Sequence, residues 1–318
     1  MRTSGRRGPA AASRATVAAW IAVGIAAISF SPILVRVAAL PALALAFWRC
    51  AAGAALLAPF ARRAQLGRVE AARLLAAGVF LAVHFGLWNA SLALTSVAAS
   101  TTLVSCSPLF VGLGGRLLGE PPSRRAWVGI ALAVAGAVVI GLGDATRIDV
   151  GSPLSTGAPP WGSPGPSALL GDALAFAGSA AMAGYLLLGR AARRRLPVST
   201  YAASVYGVAA AVLLPACLLT GSVLVGYRAG SWLALAAVVA GPQLLGHTVF
   251  NGLLARVSAT VVAVAILTEP VGATALAWLL LDELPSAAFW LGAPLVLAGV
   301  WLAVAGERER LGTAAAAS

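Results

Sequence analysis

The sequence predicts an all-α integral membrane protein of ten transmembrane helices, arranged as two inverted five-helix repeats. Three observations carry this. First, of 318 residues 60% are hydrophobic and only 10% are charged, with a mean hydropathy of +0.92. A soluble domain carries about 25% charged residues, so too little polar material is present to coat a soluble globule. Second, the apolar residues fall into ten blocks near the length that spans about 30 Å of hydrocarbon as a helix. Third, distinctive residues of the last three blocks in each half match at a nearly constant spacing.

Taken in order, residues 1–15 are small, polar and basic and read as a cytoplasmic tail. Blocks follow at 16–36, 40–60, 71–94, 96–115 and 126–143, making a first five-span repeat over 16–143. The stretch 144–168 is rich in Gly, Ser and Pro and reads as an extracytoplasmic linker. Five further blocks at 169–189, 198–220, 230–254, 258–281 and 287–305 form a second repeat over 169–306, followed by a second cytoplasmic tail over 307–318. The first block follows several Arg residues, as a secretory signal would. It is longer than the apolar core of a signal peptide and no prompt Ala-x-Ala site follows it, so it is read as a span.

The net charge of +12 comes entirely from Arg, with no Lys anywhere. Most of these residues stand in short clusters between apolar blocks, which suits anchoring at an anionic membrane face and not a nucleic-acid surface. With the N-terminus inside, the cytoplasmic segments hold Arg62, Arg63, Arg68, Arg73, Arg116, Arg124, Arg125, Arg190, Arg193–Arg195 and Arg256, besides the Arg residues of both tails. The outside segments hold only Arg36, Arg147 and Arg228. Both termini are therefore expected in the cytoplasm. Cys50, Cys106 and Cys217 each lie inside an apolar block without CxxC or Cys/His spacing, and read as small buried hydrophobes. No Walker loop, GxGxxG, HExxH or GxSxG occurs, so no metal and no cofactor is expected.

The repeat register rests on residues that chance matching in an Ala- and Leu-rich chain would not supply. Asn89 matches Asn251, Ser96 matches Ser258 and Pro108 matches Pro270 at an offset of 162 residues. After a one-residue slip, Pro122, Ser123, Trp127, Gly129 and Gly136 match Pro285, Ser286, Trp290, Gly292 and Gly299. Five spans per half is an odd number, so the halves are expected in opposite orientations. The loop after the fourth block carries Arg116, Arg124 and Arg125, whereas its counterpart carries Asp282 and Glu283 and no Arg.

The stretch His84-Phe-Gly-Leu-Trp-Asn-Ala-Ser-Leu, then Ser107-Pro108 and Gly119-Glu120 ahead of a Gly-rich span, resembles the EamA-type family of the drug/metabolite transporter superfamily. So do Gly171-Asp172 at the start of the sixth span and Leu267-Thr-Glu-Pro-Val271 in the ninth. The resemblance covers nearly the whole chain outside the tails and linker. It implies ten helices in two EamA repeats, a central solute cavity, and export of metabolites, amino acids or drugs.

Ionisable residues within a span cost about 2.5–3.5 kcal/mol at its centre, so they are functional candidates. Four stand near mid-span: Arg49, His84, His247 and Glu269. Glu269 directly precedes Pro270, which removes an intrahelical hydrogen bond, and a carboxyl beside an irregular turn can meet a solute or a proton. A permanent ion pair with Arg49, serving only to hold helices, is the structural alternative. Gln243, His247 and Asn251 follow at i, i+4 and i+8 and are expected on one helix face. His84, Trp88, Ser91 and Thr95 form a second stripe, and Thr101, Ser105 and Pro108 a third. Such stripes line a solute path or form interhelical hydrogen bonds. Asn89 and Asn251 are expected to bond across the repeat interface. Asp172 is expected at the membrane interface and the Arg193–Arg195 run in solvent. The four matched glycines are expected to permit close helix contact.

These readings predict a secondary transporter of the bacterial inner membrane, using alternating access around a midplane cavity, with export of a small solute as the expected direction. Proton coupling through Glu269 is one mode. An uncoupled facilitator or exchanger is the first alternative, and a membrane-embedded enzyme acting on lipid the second, although the basic loops offer such an enzyme almost no acids. The expected partners are a small-molecule solute, protons where coupled, and the lipid bilayer, with a homodimer left open and no nucleic acid.

Overall fold

The computed structural model describes residues 14–62, 66–95, 97–117, 119, 121–145, 166–281, 285 and 287–316. The first tail up to residue 13, most of the expected linker (146–165), and Arg63, Ser96, Glu120, Arg147, Asp282, Glu283 and Ser286 lie outside the described residues. All regular structure among the described residues is helical.

The first half holds α1 (Arg14–Ser29), α2 (Ser31–Ala38), α3 (Ala42–Leu57) with a tight turn Ala58–Phe60, α4 (Arg68–Ser91), α5 (Val97–Val104), α6 (Ser107–Leu117) and α7 (Arg124–Ala145). The second holds α8 (Pro166–Arg193), α9 (Val198–Leu219), α10 (Ala229–Val238), a π-helical segment Val239–His247, α11 (Thr248–Leu253), α12 (Ala259–Ile266), α13 (Glu269–Leu281) and α14 (Ala287–Ala316). The protein is thus an all-α, multi-pass membrane protein. Eight helical stretches among the described residues are long and apolar enough to cross a bilayer.

Prolines explain where these helices start and bend. Pro41 precedes α3, and Pro32, Pro108 and Pro270 sit in the first turn of α2, α6 and α13, where a missing N–H costs no helical bond. Within the expected fourth and ninth blocks the helix is consequently broken, at Ser105-Cys106 and at Leu267-Thr268. The two breaks repeat in register. α5 and α12 cover matched positions, α6 and α13 begin at matched positions, and α4 and α11 end at matched positions, all at the 162-residue offset. Pro242 lies inside the π segment, where its missing donor loosens the i→i+4 ladder and admits the extra residue per turn.

Packing places one helix of the first half on one of the second: α7 on α14, α4 on α8, α3 on α9, and α1 on the π segment. The core between them contains Phe85, Tyr185, Tyr201, Tyr206, Phe250 and the charged Arg49, all under 2% exposed. Large apolar side chains point outward instead, among them Leu169, Leu219, Leu233 and Trp301. A polar-containing interior beneath an apolar exterior is the reverse of a soluble globule and suits hydrocarbon surroundings.

Two sequence expectations change in detail. α14 continues to Ala316, so the segment expected as a tail from residue 307 begins as helix. Glu307 is buried there, accepting from the Ser123 backbone N–H at 3.3 Å and from Arg310 at 3.2 Å. Arg193 is 9% exposed and not solvated. Its Nε donates to the carbonyl of Asn251 at 2.9 Å, and Arg190 donates to that of Leu254 at 2.6 Å. Both thereby satisfy carbonyls at the C-terminal end of α11, where a cation is favourable. Arg195 does reach solvent, and pairs with Glu70.

Candidate functional site

Both broken spans, α4, the first-span break and the π-helical span converge on one small cavity. It is lined by Ile28, Ser31, His84, Trp88, Val104, Ser105, Met182, His247, Phe250, Ile266 and Glu269, and holds about 30 Å³. That is room for about two waters, so in this conformation a metabolite enters only if helices separate. Of the sequence-predicted candidates, His84, Trp88, Ser105, His247 and Glu269 are brought together here. The first two come from α4, Ser105 from the break after α5, His247 from the π segment and Glu269 from the first residue of α13.

Each lining group is set by its local backbone. His84 is 6% exposed, and its Nδ1 lies 3.0 Å from the carbonyl of Gly178 on α8. A carbonyl only accepts, so Nδ1 carries the proton and Nε2 is the nitrogen left for the cavity. The rings of His84 and Trp88 stack with centroids 6.4 Å apart, and His247 lies 6.5 Å from His84. Glu269 is held at the cavity by the break before it. There the Thr268 hydroxyl donates to the Ala265 carbonyl at 2.6 Å, satisfying a backbone acceptor that the break exposes. Its counterpart at the first-half break, Ser107, is fully buried and its hydroxyl has no partner.

The remaining candidates stand outside the cavity. Ser91 donates to the Trp88 carbonyl and lies 2.5 Å from the Ser100 hydroxyl, fastening the end of α4 to α5. Thr95 donates to Asp172 at 2.7 Å. Arg49 is fully buried, yet forms no ion pair with Glu269 among the described residues. Its Nε donates to Gln243 Oε1 at 2.8 Å, and its guanidinium lies 3.9 Å above the Phe85 ring. Phe85 in turn meets His247 edge-on with centroids 5.1 Å apart. Phe85 therefore touches both this buried cation and a residue of the cavity lining.

The expected single face of Gln243, His247 and Asn251 is divided. The π segment has more residues per turn than an α-helix, so the i, i+4, i+8 spacing no longer projects one way. Gln243 turns to Arg49 and His247 to the cavity. Asn251 accepts from the Tyr185 hydroxyl and donates to that of Tyr206 at 3.3 Å. Asn89 donates to the Ala42 carbonyl at 3.1 Å. Each asparagine thus bonds inside its own half, and neither reaches across as the repeat had suggested. Sequence reasoning missed Phe85 and the tyrosine cluster, whose aromatic character reads as ordinary core, and Ser31, which only the break at Phe30 brings to the cavity.

A buried cavity with polar groups from both halves, inside a bundle of apolar spans, defines a multi-pass membrane protein built around an internal polar site. The sequence profile of the EamA-like transporter family matches residues 15–142 and again 169–305, and the chain belongs to that family. A solved crystal structure is similar in fold, with a TM-score of 0.72 and 20% identity, covering 93% of this chain and 99% of that one. No curated protein matches the chain in sequence.

Proposed function

We propose that this protein is a secondary transporter that moves a small solute across the bacterial inner membrane by alternating access, in the direction of export, with Glu269 as the proton-carrying group. The observation that carries the reading is the mixed origin of the cavity. His84, Trp88 and Ser105 come from one half and His247 and Glu269 from the other, so a rocking of the halves changes which side the cavity faces. Ten spans complete the architecture, the fourth and fifth being α5 with α6 and α7. Both termini lie in the cytoplasm.

Opposed orientation of the halves is supported by the packing. Under the repeat register α3 exchanges with α9 and α7 with α14, and these are the helices that pair. The contact of α4 with α8 exchanges with that of α1 with the π segment, and both exist. The double family match, 15–142 and 169–305, divides the chain at the same place.

The test is reconstitution of the full chain into proteoliposomes loaded with a mixture of radiolabelled metabolites. Exchange of internal for external solute at equal concentration is expected without any gradient, and an imposed pH gradient should drive net accumulation. Exchange without a pH response would leave a facilitator or exchanger in place of the coupled transporter. Release of water-soluble products from labelled lipid, with no solute movement, would replace transport by lipid chemistry.

A further inference from the structure

We infer that the solute carries a carboxylate, held end-on by the two terminal nitrogens of Arg49 with Gln243 as a further donor. This rests on the transport reading and names the substrate class of the same site.

The argument is an inventory of unmet hydrogen-bonding groups. Arg49 Nη1 and Nη2 and Gln243 Nε2 are all buried and have no hydrogen-bond partner among the described residues. Every one of these atoms is a donor and none can accept. Leaving a buried donor unmet costs about 1–3 kcal/mol, more where it is charged. Three such donors brought together by the Arg49–Gln243 bond, two of them on a cation, call for a ligand that accepts several bonds and is negative.

The geometry narrows the anion to a planar one. Nε of Arg49 is already committed to Gln243 Oε1 at 2.8 Å, so the side edge of the guanidinium is taken. One face is covered by Phe85 at 3.9 Å. What remains is the outer edge, where Nη1 and Nη2 point in parallel and match the two oxygens of a carboxylate. The Gln243 amide is fixed by the bond it accepts, so its Nε2 donor has a defined direction. Phe85, which covers the guanidinium face, also meets His247 of the cavity lining edge-on at 5.1 Å, so Arg49 adjoins the wall of the cavity. The cavity holds about 30 Å³, so the solute reaches the guanidinium as the helices move. Glu269 forms no ion pair with Arg49 among the described residues, which leaves the cation available to the solute.

The test uses the full-length protein in detergent, in chloride-free buffer, with short aliphatic and aromatic monocarboxylates and α-amino acids. Each acid is measured beside its primary amide, and inorganic phosphate and chloride are added as separate probes. Carboxylates are expected to raise the unfolding midpoint in a saturable way, with their amides without effect at the same concentration. Arg49→Lys keeps the charge but loses the fork and should abolish the response. Because a fully buried Arg can also matter for folding, Gln243→Glu provides the independent variant. It keeps the shape and the oxygen that accepts from Arg49 Nε and replaces the unmet Nε2 donor with a second anionic oxygen, so folding is retained while carboxylate affinity falls at least about tenfold. Equal stabilisation by acid and amide, a response confined to phosphate or chloride, or unchanged affinity in Gln243→Glu would each overturn the inference. Proteoliposomes separate this from the wider reading. Movement of amides or amines with no movement of acids overturns the carboxylate and leaves transport standing, whereas movement of no solute overturns both.

Discussion

Gly129 and Gly299 meet backbone to backbone. A Cβ added to Gly129 would stand 2.5 Å from the Gly299 carbonyl oxygen, and one added to Gly299 would stand 2.6 Å from that of Gly129. One helical turn pair away, Gly136 and Gly292 repeat the relationship at 2.7 and 2.6 Å. α7 and α14 are therefore in contact along their main chains, a small-residue packing that takes the place of the hydrophobic driving force missing in lipid. At Gly129 and Gly299 the nearest atoms are backbone and the Cβ of Ala133, so no flexible side chain stands there to yield. Gly299→Ala must push the helices apart, at a cost of about 1–3 kcal/mol. Thermal unfolding in detergent should show a lowered midpoint for this variant and none for Gly230→Ala, where the added Cβ meets open space. An unchanged midpoint in Gly299→Ala would mean that the two helices do not touch as described.

The two matched asparagines should differ in importance. Asn251 accepts from Tyr185 and donates to Tyr206, and its backbone carbonyl holds Arg193. Asn89 makes one bond, to the Ala42 carbonyl, and its Oδ1 is buried without a partner. Asn251→Leu strands the buried Tyr185 hydroxyl, at about 1–3 kcal/mol, and takes one bond from the Tyr206 hydroxyl, which keeps Thr248 at 3.0 Å. Asn89→Leu strands one backbone carbonyl and removes an unmet acceptor. The yield and thermal stability of Asn251→Leu should therefore fall well below those of Asn89→Leu. Equal losses would restore a symmetric role for the pair.

That contrast marks how far the sequence alone could be read. Helical class, apolar blocks and family follow from composition, block length and a few motif residues, because hydrocarbon leaves the backbone little choice. The Asn, Pro and Trp matches also located the repeat register, to which the helix breaks at Ser105-Cys106 and Leu267-Thr268 conform. Side-chain direction was less legible. The i, i+4 rule assumes an α-helix, and the π turn around Pro242 sends Gln243 and His247 to different neighbours. Periodicity also carries no information about which helices touch. It could therefore not show that Arg49 binds Gln243 and lies on Phe85, or that Ser31 reaches the cavity.

Topology is the simplest of the expectations to test. The native Cys50, Cys106 and Cys217 are free and buried, so a Cys-free background should fold. In it, Ser155→Cys in the linker should react with a membrane-impermeant thiol reagent applied to intact cells. Gln65→Cys and Arg194→Cys, in segments rich in Arg, should react only after permeabilisation. Reaction of all three from one side would remove the opposed orientation of the two halves.

Glu269 is the proposed proton carrier. It begins α13 directly beneath the break, 8% exposed, on a cavity whose other polar groups are two histidines, an indole and two hydroxyls. Coupling requires that the group bind a proton in one conformation and release it in the other, so that the solute and the proton favour different states. Glu269→Gln keeps the size of the side chain and its hydrogen bonding but holds it uncharged. Nothing in the fold depends on its charge through an ion pair among the described residues, so the variant should fold with near-native stability. In proteoliposomes it should retain exchange of solute against solute. It should lose accumulation driven by an imposed pH gradient, and its exchange rate should no longer vary with pH where that of the parent does. If gradient-driven accumulation survives the substitution, the proton is carried elsewhere. His84 is then the next group to replace, since its Nδ1 is fixed on Gly178 and its Nε2 is left to the cavity. Loss of exchange together with accumulation, in a protein that still folds, would instead make Glu269 a direct contact of the solute.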